Sequence, residues 1–176
     1  MIKKGVLRMT IEEKRVMSMS EKTARRWIAE RGVKLEDIAE LVVYLQKPYH
    51  PELKLEEAME HVEAVLRKRE VQNAVLTGIQ LDMLAEKKQL DDPLQSIIET
   101  DEGLYGLDET IATAIINVYG TIGLTSYGYI DKQKPGILQF LNDKSTGQVH
   151  TFLDDIVGAI AAAAASRLAH RAAHTE

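Results

Sequence analysis

Apolar residues recur at helical spacing along almost the whole chain. In LEDIAELVVYLQ, the residues Leu35, Ile38, Ala39, Val42 and Leu45 fall on one stripe of period 3.6, and Pro48 and Pro51 stop it. Upstream, Ser20 offers an N-cap for a helix over Glu21–Arg31, Gly32 offers a C-terminal stop, and Trp27 and Ile28 face inward. A third helix is predicted over Leu55–Arg69. A fourth covers Val71–Lys88, with Val75, Ile79 and Met83 beside a seam of Ala74, Gly78 and Leu81. Asp92-Pro93 reads as the N-cap and first residue of a short helix. Helices over Asp108–Tyr119, over Gly136–Asn142 and from Thr151 onward complete the set, with a glycine-bearing turn after Tyr119. No period-2 alternation persists for more than a few residues. The predicted fold class is therefore all-α, a bundle of six to eight helices with a buried Gly/Ala-rich C-terminal helix. The expected organisation is one domain over 1–176, with N-terminal helices of residues 1–50 packing on a core of residues 51–176.

Two segments refine that picture. Thr110–Ile130 is 21 residues without a formal charge, close to the length that spans a bilayer. Its four threonines, Asn117, Ser126 and the glycines at 120, 123 and 128 make it too polar for lipid, so a buried helix followed by a Gly-rich turn is expected. The run Ala161–Ala165 lets neighbouring helices approach closely from every side, which places the last helix at the centre of the bundle.

Composition narrows the function classes. The 176 residues are enough to bury roughly 70% of the surface of the unfolded chain. A net charge of -5 and a pI near 5.6 weigh against non-specific nucleic-acid binding, which depends on a Lys/Arg excess. The absence of cysteine excludes disulfides, thiolate nucleophiles and Cys-ligated zinc. MIKKGVLRMTIEEKR lacks the apolar core of a secretory signal, so a cytoplasmic protein is expected.

The chemistry lies in how charge is placed. TFLDDIVGAIAAAAASRLAH sets Asp154 and Asp155 at the mouth of the small-residue helix. Thr151-x-x-Asp154 matches a capping box, and the helix dipole favours acids there by about 0.3–1 kcal/mol. Asp155 lies about 100° further round, toward Ile156 and Val157, and a buried carboxylate needs a partner or a metal. A second pair, Asp108 and Glu109, opens LDETIATAIINVYG in the same manner. Should the two helix starts converge, their acids repel and invite a hard divalent cation, Mg²⁺ with Ca²⁺ or Mn²⁺ as alternatives. Between them IDKQKPGILQFLNDKSTG holds Asp131, Lys134, Asp143 and Lys144, and a lysine beside metal-binding carboxylates suits a phosphate. Residue chemistry alone leaves two readings open: a metal-phosphate site, or ordinary helix caps with surface charges.

Other chemistries find no support, since the chain has no P-loop, Gly-x-Ser-x-Gly elbow, His-Glu-x-x-His or EF-hand loop. His170 and His174, beside Arg167 and Arg171, read either as a metal or anion site or as a basic helix end. His150 reads either as a site residue or as a loop histidine. TARRWIAERGVKLEDIAELVVYLQ resembles two helices of a helix-turn-helix unit, with Arg25 and Arg26 available for phosphates. The prolines and Glu56, Glu57 and Glu60 fall where a basic recognition helix should stand, so no nucleic-acid partner is expected. A non-catalytic helical metal-binding or protein-interaction module is the rival class.

The ordered elements LDETI, DKQKP, ND and LDDIVGAIAA resemble the phosphatidylglycerophosphatase A family, sharpest over Leu107–Ala162. The chain is most similar to the soluble, all-helical branch of that family found in Gram-positive bacteria. The resemblance implies Mg²⁺-dependent removal of the terminal phosphate from phosphatidylglycerophosphate to give phosphatidylglycerol. It implies Asp108, Glu109, Asp154 and Asp155 as metal ligands, Asp131, Lys134 and Asp155 as catalytic residues, and Lys134, Asp143 and Lys144 as substrate contacts. A phosphorylated lipid or small phosphomonoester is the implied substrate, with peripheral contact at the inner face of a membrane for the lipid. The small-residue helices and Trp27 suit a helix-packed homodimer. Two features differ from the membrane members: no Pro-Gly-Thr element occurs in residues 1–70, and charged residues such as Arg25, Glu36, Glu57 and Arg67 make solvated faces.

Overall fold

The computed structural model describes residues 16–172. The readings that rest on residues 1–15 and on His174 lie outside the described residues. Within them the chain is all-helical, as its periodicity predicts, with nine α-helices and no strand. They are α1 (Met19–Glu30), α2 (Leu35–Gln46), α3 (Leu55–Leu66), α4 (Arg69–Glu86), α5 (Leu94–Thr100), α6 (Leu107–Ile116), α7 (Ile122–Gln133), α8 (Ile137–Leu141) and α9 (Leu153–Ala172). Short 3₁₀ turns occupy Asn117–Tyr119 and Lys144–Thr146.

Most boundaries follow local chemistry. Ser18, not Ser20, caps α1, because its Oγ stands three residues before Glu21 and accepts that N–H at 3.1 Å. Gly32, at φ 85°, ends the helix in the left-handed conformation that only glycine adopts freely. The expected Gly-rich turn is confined to Gly120, and residues 122–133 form α7 instead. The reason is packing. A Cβ on Gly123 would meet Ile116 Cγ2 at 2.6 Å, so this glycine serves close helix approach rather than a turn.

The bundle is organised around α9. Every residue from Asp155 to Ser166 is buried, and α2, α3, α4, α6, α7 and α8 all pack against this helix. Alanine on all faces makes that possible, since larger side chains would hold six neighbours apart. Further out, α1 packs on α4, α2 on α3, and α4 on α5 and α6. The α2 stripe behaves as predicted: Ile38, Ala39, Val42 and Leu45 are buried and Leu35 is half-buried. No helix among the described residues is long and apolar enough to cross a membrane.

Candidate functional site

The start of α9 is held from a distance. Asp82, fully buried on α4, accepts the N–H of Phe152 at 3.0 and 3.2 Å through its two oxygens and the N–H of Leu153 at 3.0 Å. Thr151 does not form the expected local capping box; its hydroxyl donates to the Ile98 carbonyl at 2.6 Å, and Asp82 does the capping. Burial pushes the Asp82 carboxyl well above the usual range, the two backbone donors opposing it.

Directly after Leu153, in the first turn of α9, stand Asp154 and Asp155, on different faces as their spacing requires. Asp154 turns toward Lys134, whose ammonium lies 2.9 Å from Asp154 Oδ2 and 2.6 Å from Asp131 Oδ1. Asn142 Nδ2 donates to the same Asp154 oxygen at 2.9 Å. Lys134 ends α7 in the left-handed conformation, φ 46°, which costs a non-glycine residue about 1–2 kcal/mol. This turn brings its side chain back over Asp131, one turn earlier on α7. Burial alone would lower the lysine pKa, but Asp154 and Asp131 outweigh it and hold the ammonium above the usual lysine range.

Asp155 turns the other way and accepts the Tyr127 hydroxyl at 2.7 Å. Burial, reinforced by the neighbouring Asp154 charge, pushes its carboxyl up to about 8, with Tyr127 and Lys134 opposing. Burial raises Asp154 as well, against the pull of Lys134. At the start of α6, Asp108 is buried and accepts the Glu109 N–H at 3.0 Å, whereas Glu109 is exposed. Burial raises Asp108, and the charges of Glu109 and Asp101 push in the same direction. Asp101 also raises Asp154, so its carboxylate links the two helix starts electrostatically.

The acids thus come as neighbouring pairs. Among the described residues no three His, Asp or Glu side chains are grouped so as to hold a metal ion. Lys134 already binds Asp131 and Asp154, Asp155 is engaged by Tyr127, and Asp108 by its own helix. In kind, however, the donors fit a hard divalent cation. Asp108, Asp154 and Asp155 offer only oxygen, and burial, the largest cause in each case, raises all three carboxyls.

Beside Asp154 opens a cavity of about 260 Å³ lined by Asn142, Asp143, Lys144, His150 and Thr151 among others. Asp143 accepts the Ser145 N–H at 2.9 Å, which with the Ser145 side chain holds its carboxyl below the usual range. Lys144 pairs with Asp101 at 3.2 Å. Asp143 and Lys144 therefore stand on this cavity and not in the Lys134 cluster. The far wall is fixed by Arg31, at the end of α1, which donates to Glu86 at 2.8 Å, to the Val149 carbonyl and to His150 Nδ1 at 3.2 Å. Burial and the Arg31 charge lower the His150 pKa to about 4.

Sequence reasoning missed Asp82, Tyr127, Asn142 and Arg31. Asp82 had a visible signal, an acid three residues beyond Ile79 on an otherwise apolar stripe. Arg31 had none. Arg25, read as free for phosphates, is committed to Glu63 at 2.7 and 2.9 Å and to Glu21 at 3.1 Å. Arg167 donates to His61 Nδ1 at 3.0 Å.

An all-helical bundle whose central helix opens on two acids, one sharing a lysine with a third acid, defines the class: a helical protein with a carboxylate-lysine site. The chain belongs to the phosphatidylglycerophosphatase A family, whose family model, described as Phosphatidylglycerophosphatase A, matches residues 27–170. It is 63% identical over 166 residues to the uncharacterized protein YutG of Bacillus subtilis (strain 168), covering 94% of this chain and 100% of YutG. It is 60% identical over 140 residues to YpjQ, an uncharacterized protein of the same organism, covering 80% of this chain and 78% of YpjQ. The crystal structure of the low temperature requirement C protein from Listeria monocytogenes superposes with a TM-score of 0.88 at 65% identity, covering 90% of this chain and 99% of that one.

Proposed function

We propose that this protein is a divalent-metal-dependent phosphomonoesterase, and that its substrate is phosphatidylglycerophosphate, hydrolysed to phosphatidylglycerol at the inner face of a membrane. Family membership supports the reaction class. The single observation that carries the reading is the Lys134 ammonium shared between Asp131 and Asp154, with Asp155 adjacent and a cavity opening beside Asp154.

The reaction forms a bond from a water oxygen to phosphorus, breaks the ester P–O bond and delivers a proton to the departing alkoxide. Asp108, Glu109, Asp154 and Asp155 are the residues that would hold Mg²⁺, which when bound supplies charge for the phosphoryl oxygens and acidifies the attacking water. Lys134, a cation throughout the neutral range, offsets negative charge that develops on the phosphoryl group. One carboxylate would take up and return the proton; Asp131 and Asp155 are the candidates, Asp155 holding a proton near neutrality while no cation is bound. Asp143 and Lys144, which line the cavity, would contact the remainder of the substrate.

The test measures phosphate release from phosphatidylglycerophosphate and from a water-soluble phosphomonoester, with Mg²⁺, with EDTA, and with Asp155→Asn. Release that needs Mg²⁺ and is lost in the variant is expected. Inertness toward both substrates would leave a non-catalytic helical metal-binding or protein-interaction module.

A further inference from the structure

One stretch of the sequence has no part in the site. Thr110–Ile130 carries no formal charge, and the fold divides it between α6 and α7. Part of it is core, since Ile115, Ile116, Tyr127 and Ile130 are buried. The rest faces water. On α7 the outward residues are Ile122, Leu124, Thr125, Gly128 and Tyr129, with Ile122 53% and Tyr129 52% exposed. A surface helix normally turns charged residues outward, so a neutral outer side with three large apolar side chains fits contact with something less polar than water.

Tyr44 of α2 extends this face. Its ring stacks on that of Tyr129, with centroids 6.1 Å apart and planes at 14°, and the two hydroxyl oxygens stand 3.3 Å apart. Paired tyrosines, with apolar rings and polar tips, suit the boundary between hydrocarbon and water. Lys132 closes the outward stripe of α7 and Lys47 follows Tyr44 by three residues, both exposed, against one exposed acid, Glu40, four residues before Tyr44. Asp131, the acid of α7, is tied to Lys134. The face thus carries a small positive excess on a chain of net charge -5, and an anionic phospholipid surface complements it. Leu104 is more exposed, at 92%, but it follows Asp101 and Glu102, which such a surface repels.

The same helix carries Tyr127 and Asp131, and Lys134 ends it. A helix with its side chains is about 10 Å across, and one lying in a bilayer interface sinks by about 5–10 Å, so α7 resting there holds Lys134 at the level of the phosphates. A lipid phosphate then reaches the site without leaving its bilayer.

We infer that the outer face of α7, with Ile122, Leu124 and Tyr129 and the Tyr44 ring against it, is the surface by which the protein lies on a phospholipid bilayer. This assignment rests on the phosphatidylglycerophosphate reading and names the membrane contact that reading needs.

The experiment floats the full chain with vesicles of equal parts phosphatidylcholine and phosphatidylglycerol. Binding is expected, and Leu124→Glu/Tyr129→Glu is expected to weaken it about tenfold or more, since each change removes an apolar side chain and adds a negative charge. Met19→Glu, at an exposed residue of α1, is expected to leave it unchanged. Trp27 is the chain's one tryptophan, so Tyr129→Trp in a Trp27→Phe background gives a second readout: emission from position 129 should shift to the blue on vesicles and be quenched by brominated acyl chains. Absence of vesicle binding, binding that survives the double glutamate variant, or an indole at position 129 that vesicles leave unmoved overturns the assignment. So does a solution dimer that the double variant dissociates, which gives the face to a second copy. Turnover separates the two readings. Vesicle binding through this face with no phosphate release from any substrate keeps the surface and removes the phosphatase. Release from a water-soluble phosphomonoester with no vesicle binding does the reverse. With both readings correct, the double variant keeps that soluble turnover and loses release from phosphatidylglycerophosphate in vesicles.

Discussion

The Asp82 carboxylate accepts the Leu153 N–H at 3.0 Å, so the central helix is capped by a residue on a different helix. The same carboxyl takes the Phe152 N–H, and its oxygens stand at the positive end of the α9 dipole. Removing it strands two buried donors. Asp82→Ala is expected to destabilise the fold by about 2–4 kcal/mol in urea denaturation, and Asp82→Asn, which keeps one acceptor, by less. A loss under about 0.5 kcal/mol in the alanine variant would show that the helix start does not depend on this cap.

Gly78 sets how closely α4 approaches α9. A Cβ at this position would meet Ile156 Cδ1 at 2.5 Å and Phe152 Cβ at 2.9 Å. The Phe152 contact involves an atom next to the backbone, so the helices themselves must separate. Gly78→Ala gains helix propensity of about 1 kcal/mol, but overpacking of this kind costs about 1–3 kcal/mol and should win. Thermal melting is therefore expected to fall by several degrees, and a rise in melting temperature would refute the close approach.

How far the sequence reveals this molecule depends on the range of the interaction. The α2 stripe, the stop at Gly32 and the centrality of the alanine helix were legible because each is set by periodicity, by one residue's conformational freedom or by side-chain size. The prolonged helix over 122–133 was not, since Gly123 looks like a turn residue until Ile116 is seen against it. At the site, Asp131 and Lys134 are three residues apart and their pairing is a local matter. Their contact with Asp154 and the division of Asp154 and Asp155 between Lys134 and Tyr127 depend on how α7 crosses α9, which no spacing encodes. Arg31 is the extreme case, reaching residues 118 and 119 positions away through a loop.

Among the described residues Lys134 is the cation shared by Asp131 and Asp154, and substituting it separates charge from packing. Lys134→Met keeps the stem and leaves two carboxylates facing each other. A partly exposed network of this kind should lose about 1–2 kcal/mol of stability, while kcat for phosphate release falls about 100-fold or more. Retained kcat with lowered stability would assign Lys134 to structure alone.

Asp155 gives the fold a pH dependence with a definite sign. Its folded pKa, about 8, lies above the unfolded value, so its stabilising contribution is complete below about pH 4 and is lost as pH rises through 8. His61 and His150, lowered to about 4, act in the opposite sense below pH 6.5, so the difference between wild type and Asp155→Asn isolates the carboxyl. That difference is expected to reach on the order of 2 kcal/mol between pH 5 and pH 8.5. A divalent cation binds the deprotonated form, so Mg²⁺ should release a proton on binding at pH 7 and raise the melting temperature more at pH 8 than at pH 6. Calorimetry in buffers of different ionisation enthalpy measures the proton, and the shift should vanish in Asp154→Asn/Asp155→Asn. An equal Mg²⁺ shift in wild type and double variant would place the cation elsewhere.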